Sequence, residues 1–189
     1  MTSTGIKILI VDDDEDLCIA LTEFISQMGV HVQTAGSVAE AQQRLQTETV
    51  PFDLVLTDLR IPGGSGMDVL QAARGRSADS LVTIITGYAS MDTAIEAARL
   101  GAYNYVTKPF SLDEIGVQVR NMIERVSLSR ENARLSLRLQ ELYEQLERVE
   151  RERADFVQIN KNLLKLLQEN SRKLDEILNL HASSHAISE

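Results

Sequence analysis

The sequence predicts an α/β fold, with a doubly wound parallel sheet of five strands and a last helix that extends into a long C-terminal coiled coil. Short apolar runs alternate with segments in which apolar residues recur at helical spacing, a pattern typical of parallel strands joined by crossover helices. Five such units, each a strand and a helix, fit into residues 1–125. From residue 128 onward the apolar residues recur at spacings of four and three, which indicates a coiled coil.

The first two units show this pattern well. The apolar run 8–11 is the first strand, and helical spacing over 16–28 predicts the helix after it. Gly29 can end that helix in the left-handed conformation. Residues 30–34 alternate between apolar and polar, as a strand with one exposed face does. A capping-box spacing then opens the second helix, which runs over 37–46.

The other three units repeat the same order. The segment 62–66 must form a loop, because its proline and glycines interrupt both helices and strands. Ser90 and Ser111 each stand where a side chain can cap the helix that follows, and Gly101 ends the fourth helix. The predicted strands are 52–57, 81–85 and 103–106, and the predicted helices are 67–74, 91–100 and one that begins at 111.

Composition limits the possible functions. The chain has 189 residues and a formal net charge of −9, and neither half carries the basic surface that nucleic-acid binding requires. Cys18 is the single cysteine and cannot form an intramolecular disulfide, which suits a reducing cytosol. The sequence shows neither a signal peptide nor an apolar run of about 20 residues that could span a membrane. We therefore expect a cytoplasmic protein that binds neither nucleic acid nor membranes.

Carboxylates follow two of the predicted strands. Asp12 and Asp13 come directly after the first strand, and Asp58 ends the third. Because the carboxyl ends of parallel strands share one edge of a sheet, these side chains should meet where open α/β folds bind their ligands. Like charges at short range raise one another's pKa unless a counter-charge is present, and Mg²⁺ prefers oxygen ligands. The pattern therefore indicates a divalent-cation site.

Thr86 and Lys108 add a hydroxyl and an ammonium group at the same edge, because each follows another predicted strand. Taken alone, each feature has a simpler interpretation: the acid pair could favour a helix N-terminus, and Lys108 could be a surface lysine. The joint order of an acid pair, Asp58, Thr86 and Lys108 at the ends of four apolar strands is specific. It resembles the receiver domain of bacterial two-component response regulators, over roughly residues 5–125.

The resemblance implies a flavodoxin-like strand order and a defined chemistry. Asp58 would accept a phosphoryl group from the phosphohistidine of a sensor histidine kinase or of a phosphotransfer protein. Mg²⁺ would be bound directly by Asp13 and Asp58, through water by Asp12, and by the backbone carbonyl of Arg60. Such a receiver assists its own phosphorylation and dephosphorylation and is not otherwise an enzyme.

The resemblance also implies a switch. Lys108 would pair with the phosphoryl group, and its peptide bond to the following proline would be cis. Thr86 would hydrogen-bond to the phosphoryl group and so free space for the ring of Tyr105, which matches the switch aromatic residue of the family. Arg60 and Tyr88 occupy positions that tune the lifetime of the phosphoryl group in the family.

Residues 126–181 form the predicted coiled coil, and 182–189 form a short disordered tail. A helix of about 54 residues would be roughly 80 Å long, more than a domain of ~125 residues could cover, so the pattern favours self-association. Asn132 and Asn160 fall in the seam at heptad position a, where each can pair with its copy in a parallel dimer. Apolar residues at positions e and g beyond residue 158 allow a wider bundle there. The apolar seam residues are Leu128, Leu135, Leu139, Leu142, Leu146, Val149, Phe156, Leu163, Leu167, Leu174 and Ile177.

Other functions fit the sequence less well. A haloacid-dehalogenase-like Mg²⁺ phosphohydrolase expects a second acid two residues after its nucleophile, where this chain has Arg60. A nucleotide-binding domain requires a glycine-rich loop after the first strand, and none is present. A structural adaptor with an inactive receiver is opposed by the intact Asp58, Thr86 and Lys108. The coiled coil either docks a partner itself or leads to an output domain, and the sequence leaves both open.

Overall fold

A computed structural model of the chain describes the backbone of residues 5–185 and the side chains of residues 5–174. The chain divides into two compact units between Arg130 and Glu131. In chain order the elements are β1 (Lys7–Val11), α1 (Glu15–Ser26), β2 (His31–Ala35), α2 (Val38–Thr47), β3 (Leu54–Asp58), β4 (Arg60–Ile61), β5 (Gly64–Ser65), α3 (Gly66–Arg76), β6 (Leu81–Thr86), α4 (Met91–Arg99), β7 (Asn104–Thr107) and α5 (Leu112–His185).

The main sheet has five parallel strands in the order β2, β1, β3, β6, β7. This is the flavodoxin-like strand order, so the predicted fold class is confirmed. Val11 of β1 lies opposite Thr57 of β3, and Asp58 of β3 lies opposite Ile85 of β6. The carboxyl ends of the central strands therefore share one edge of the sheet, as the sequence predicts.

The sheet is covered on both faces, which explains why its central strands read as continuous apolar runs. One cluster of buried residues joins Leu9 and Val55 to α2, α3 and α4. The other joins Ile8 and Leu56 to α1 and to the start of α5. The start of α5 is therefore part of the core of the first unit. Each fully buried aliphatic side chain in that core stabilises the folded state by on the order of 1.5–3 kcal/mol. The residues that α5 adds to this core are Ile115, Val119, Met122 and Val126.

Side-chain caps fix the starts of the helices beside the strand ends. Asp14 accepts a hydrogen bond from the backbone N–H of Leu17 at 3.0 Å, so α1 begins directly after Asp14. Ser65 begins α3 in a capping box with Asp68. Directly after Ser65 the chain requires Gly66, because a Cβ there would lie 2.2 Å from the backbone carbonyl oxygen of Asp58. This close approach holds α3 against the end of β3.

The sequence does not predict the hairpin of β4 and β5. It expects a loop over 62–66, whereas Arg60 pairs antiparallel with Ser65, and Ile61 with Gly64. Two strands of two residues each are too short to show a hydrophobic period, so no pattern could reveal them. The hairpin follows Asp58 almost directly and fixes the backbone on one side of it.

The last helix, α5, is 74 residues long. It includes residues 182–185, which the sequence assigns to a tail, because no proline or glycine stops the helix after Gly116. Residues 186–189 of that tail lie outside the described residues. Between Glu131 and Leu174 every side chain is exposed in the single chain. Within the described part of the chain, no helix is both long enough and apolar enough to cross a membrane.

Candidate functional site

The ends of β1, β3, β6 and β7 carry the residues of the candidate site. The backbone N–H of Lys108 donates to the carbonyl of Thr86 at 2.8 Å, which continues the pairing of β6 and β7 up to the site. The peptide bond between Lys108 and the following proline is cis, as the resemblance implies. Asp12, directly after β1, and Asp58, at the end of β3, lie at the same edge.

Lys108 lies between two carboxylates. Its Nζ donates to Oδ2 of Asp12 at 2.7 Å and to Oδ2 of Asp58 at 2.6 Å. Burial alone would lower the pKa of Lys108, but the hydrogen bonds to Asp12 and Asp58 outweigh burial and raise that pKa above its ordinary value. Lys108 is therefore charged at neutral pH, and a single ammonium group faces two aspartates.

The backbone holds both aspartates as well. Oδ1 of Asp12 accepts the N–H of Asp14 at 3.0 Å, and Oδ1 of Asp58 accepts the N–H of Arg60 at 2.9 Å. The two side chains are 6% and 12% exposed. In each carboxylate, one oxygen accepts a hydrogen bond from a backbone N–H and the other accepts one from Nζ of Lys108. Both side chains are therefore fixed in position.

The donor set suits a hard divalent cation. Asp12, Asp58 and the carbonyl of Arg60 offer oxygen atoms, the ligands that Mg²⁺ prefers, and two carboxylates against one ammonium leave one negative charge uncompensated. Asp13, the other predicted direct ligand, is exposed. Among the described residues, no three His, Cys, Asp or Glu side chains are already grouped to hold a metal. Metal coordination by Asp13 therefore stays a prediction of the resemblance.

Thr86 and Tyr105 lie on neighbouring strands and on the same face of the sheet. Tyr105 pairs with Ile84, and Thr86 follows Ile84 by one full period of the strand. Thr86 is fully buried, and its Oγ1 accepts the backbone N–H of Tyr88 at 3.0 Å. The hydroxyl of Tyr105 lies 2.8 Å from Oγ1 of Thr93 on α4. Thr86 therefore holds the loop before α4, and Tyr105 holds the first turn of α4.

The sequence does not identify Thr93. This residue belongs to the capping box of α4: its Oγ1 accepts the N–H of Ser90 at 3.2 Å, and Oγ of Ser90 accepts the N–H of Thr93 at 3.2 Å. The spacing of Ser90 and Thr93 could have indicated the cap. The contact with Tyr105 depends on how α4 packs beside β7, which spacing along the chain does not show.

Arg60 and Tyr88 stack beside the site. The guanidinium carbon of Arg60 lies 3.8 Å from the centroid of the Tyr88 ring, and both side chains are exposed. Arg60 follows Asp58, and Tyr88 follows Thr86, so the stack joins the two loops that border the site. A cation–π contact of this exposed kind contributes about 0.5–1 kcal/mol.

Comparison with known proteins agrees with this geometry. Residues 8–120 match the response regulator receiver domain. The chain belongs to the response regulator receiver family. Receivers of this family are regulatory signalling domains that accept phosphoryl groups from histidine kinases, and they generally use Mg²⁺.

Individual relatives cover the same region. The response regulator PilR of Pseudomonas aeruginosa is 42% identical over 109 residues, which cover 58% of this chain and 24% of PilR. The chain thus spans about a quarter of the length of PilR. The non-phosphorylated HemR receiver domain of Leptospira biflexa is 31% identical with a TM-score of 0.58, covering 63% of this chain and 94% of that one. A response regulator of Burkholderia pseudomallei, solved with a phosphorylated aspartic acid, a calcium ion and citrate, is 26% identical with a TM-score of 0.57, covering 67% of this chain and 73% of that one.

Proposed function

We propose that Asp58 accepts a phosphoryl group from the phosphohistidine of a sensor histidine kinase or a phosphotransfer protein, in a reaction that requires Mg²⁺. The observation that carries this proposal is the contact of 2.6 Å between Oδ2 of Asp58 and the charged Nζ of Lys108. The Burkholderia regulator supports it, since that protein holds a phosphorylated aspartic acid together with a divalent cation. Like response regulators in general, the protein would work in the cytoplasm.

The transfer exchanges one bond for another. A carboxylate oxygen of Asp58 attacks the phosphorus atom, the bond from phosphorus to the imidazole nitrogen breaks, and an acyl phosphate forms on Asp58. The leaving imidazole takes up a proton. Lys108 loses its hydrogen bond to the reacting carboxylate and instead binds a phosphoryl oxygen. When bound by Asp13, Asp58 and the carbonyl of Arg60, with Asp12 acting through water, Mg²⁺ supplies charge neutralisation for the phosphoryl oxygens.

Thr86 and Tyr105 would report the new phosphoryl group. The hydroxyl of Thr86 would donate to a phosphoryl oxygen, and a movement of Thr86 toward that oxygen would draw the N–H of Tyr88, which Oγ1 of Thr86 accepts, in the same direction. The loop between β6 and α4 would then shift, together with the capping box that contains Thr93. Because Thr93 is the hydrogen-bond partner of Tyr105, this shift would release the tyrosine ring.

The C-terminal part of α5 would carry this change to other molecules. Its apolar seam residues between Leu128 and Leu174 are from 46% exposed (Leu142) to 64% exposed (Phe156) in the single chain. An apolar row of this length marks an interaction surface, and a parallel homodimer would bury it with Asn132 and Asn160 paired across the seam. The side chain of Ile177, the last seam residue, lies outside the described side chains. The dimer would pass the state of the receivers to an output domain or a partner protein.

Phosphorylation by a small phosphodonor tests the proposal. With acetyl phosphate and Mg²⁺, the intact protein should gain the mass of one phosphoryl group, and the group should be labile to hydroxylamine, as acyl phosphates are. Asp58→Asn should abolish the gain. The matched control is Asp53→Asn, which changes an aspartate at the other end of β3 and should leave the gain unchanged. Full phosphorylation of Asp58→Asn would refute the assignment.

A further inference from the structure

Residues 156–167 of α5 present a wider apolar face than the seam requires. In this segment, positions e and g of the heptad are apolar in addition to the seam positions a and d. Val157 and Leu164 occupy position e, and Ile159 and Leu166 occupy position g. Their exposed fractions are 59%, 62%, 63% and 56%, as high as those of the seam residues themselves. We call these four residues the flank residues.

The preceding segment, 131–155, lacks this feature. Its e and g positions are mostly charged or polar, with Glu131, Arg138, Glu150 and Glu152 among them. In 156–167, by contrast, the polar residues are confined largely to the outer positions b, c and f, where Gln158 donates to Asn162 at 3.1 Å. Within 131–167 the apolar face is therefore widened only over 156–167, and positions e and g become apolar again at Leu178 and Leu180.

A two-stranded coiled coil cannot bury the flank residues. In a parallel dimer the a and d positions meet in the seam, and each side of the seam shows position e of one helix beside position g of the other. Each side would thus expose a stripe that contains Val157 and Leu164 from one chain and Ile159 and Leu166 from its partner. A seam of a and d alone suits two strands, whereas added apolar e or g positions suit a bundle.

We propose that residues 156–167 of four chains pack as a parallel four-stranded bundle, while residues 131–155 stay paired in two separate dimers. The inference rests on the proposed dimer and extends it: Asn132 still pairs within each dimer, whereas the Asn160 side chains of all four chains would hydrogen-bond to one another at the centre of the bundle. In a closed four-stranded assembly each helix has two identical neighbours. Position e of one helix then packs against position g of the next, and this repeated contact buries every flank residue. Two foreign helices, one on each side of a dimer, would also cover both stripes, but the purified chain would then show only two chain masses.

The distribution of charge supports four copies and limits the bundle to this segment. No charged residue occupies positions e or g over 156–167, so four chains bring no like charges into contact there. Lys161 and Lys165 lie at outer positions and stay in water. Four-stranded packing over 131–155 would bury Glu150 and Glu152 of every chain, at a cost of several kcal/mol for each uncompensated charge. Two dimers therefore separate before the bundle begins.

Sedimentation equilibrium of the full chain tests this inference. The native chain should show four chain masses. A variant with all four flank residues changed to glutamine should show half that mass, with its helix content retained in circular dichroism. The matched control is Leu137→Gln, because Leu137 is 65% exposed at the outer position f and its replacement should leave the mass unchanged.

The outcomes separate this inference from the dimer on which it rests. Two chain masses for the native chain at the highest soluble concentration would overturn the four-stranded bundle and leave the dimer standing, whereas one chain mass would overturn both. Four chain masses in the flank variant, or one, would also overturn the bundle. If the variant loses its helix, the native chain is instead mixed with a longer, tagged copy of itself and examined by native mass spectrometry. A tetramer gives mixed species with one, two and three tagged chains. A dimer gives a single mixed species, with one tagged and one untagged chain.

Discussion

The two units of the chain use apolar residues in opposite ways. In the receiver, Ile8 and Leu54 are 0% exposed, because strands and helices of the same chain cover them. In α5 beyond Glu131, even the least exposed of the apolar seam residues with described side chains, Leu142, is 46% exposed. The receiver therefore has its core within one chain, whereas the exposed apolar residues of the extension suit the contacts with other chains proposed above. The stability of the receiver should be independent of protein concentration, and that of the extension should depend on it.

The largest expected effect comes from changing the seam. Asparagine in place of Leu142, Leu146, Leu163 and Leu167 puts amides at four seam positions of each chain, two of them within 156–167, and should convert the full chain to a monomer. The receiver should keep its unfolding midpoint and its phosphorylation at Asp58, because none of these leucines belongs to its core. Sedimentation and phosphorylation of the same sample check both expectations. A variant that stays associated would show that the seam is not where the chains meet.

The reciprocal change is Leu56→Ala in the core of the receiver. Leu56 is 1% exposed, so its truncation leaves a cavity and should lower the free energy of unfolding by about 2–5 kcal/mol. Urea denaturation of residues 1–130 measures this loss. The matched control, Leu139→Ala in the full chain, should leave the receiver unchanged and weaken only association. Equal losses of receiver stability from both changes would remove the distinction between the two units.

Features that depend on local order along the chain could be predicted from the sequence. The apolar runs and their capping residues determine where strands end, so the meeting of Asp12, Asp58, Thr86 and Lys108 at one sheet edge could be predicted. Their family resemblance gave the strand order, which the structure confirms.

Contacts between distant side chains could not be predicted. The stacking of Arg60 on Tyr88 and the hydrogen bond of Tyr105 to Thr93 depend on rotamers and on how two elements pack, and neither leaves a period in the sequence. The burial of Asp12 beside an exposed Asp13 is of the same kind, because it depends on how the chain after β1 packs. Metal coordination by Asp13 stays a prediction.

A smaller effect concerns the contact between Tyr105 and α4. Tyr105→Phe removes one hydrogen bond and should lower the stability of the unphosphorylated receiver by about 0.5–1.5 kcal/mol. If phosphorylation releases the ring from Thr93, the same change should have no effect on the phosphorylated protein. Urea denaturation with and without acetyl phosphate and Mg²⁺ provides the comparison, and Thr93→Val completes a double-mutant cycle. An equal loss in both states would mean that the ring does not leave Thr93.

Hydrogen exchange of the full chain at several concentrations tests the contrast between the two units most directly. Amides of β3 should exchange at a rate that is independent of concentration, because the receiver folds within one chain. Amides of residues 131–174 should become better protected as concentration rises, because their helix is stabilised by association. Strong protection of 131–174 at dilutions where sedimentation shows a monomer would contradict the account, since the extension would then be stable without other chains.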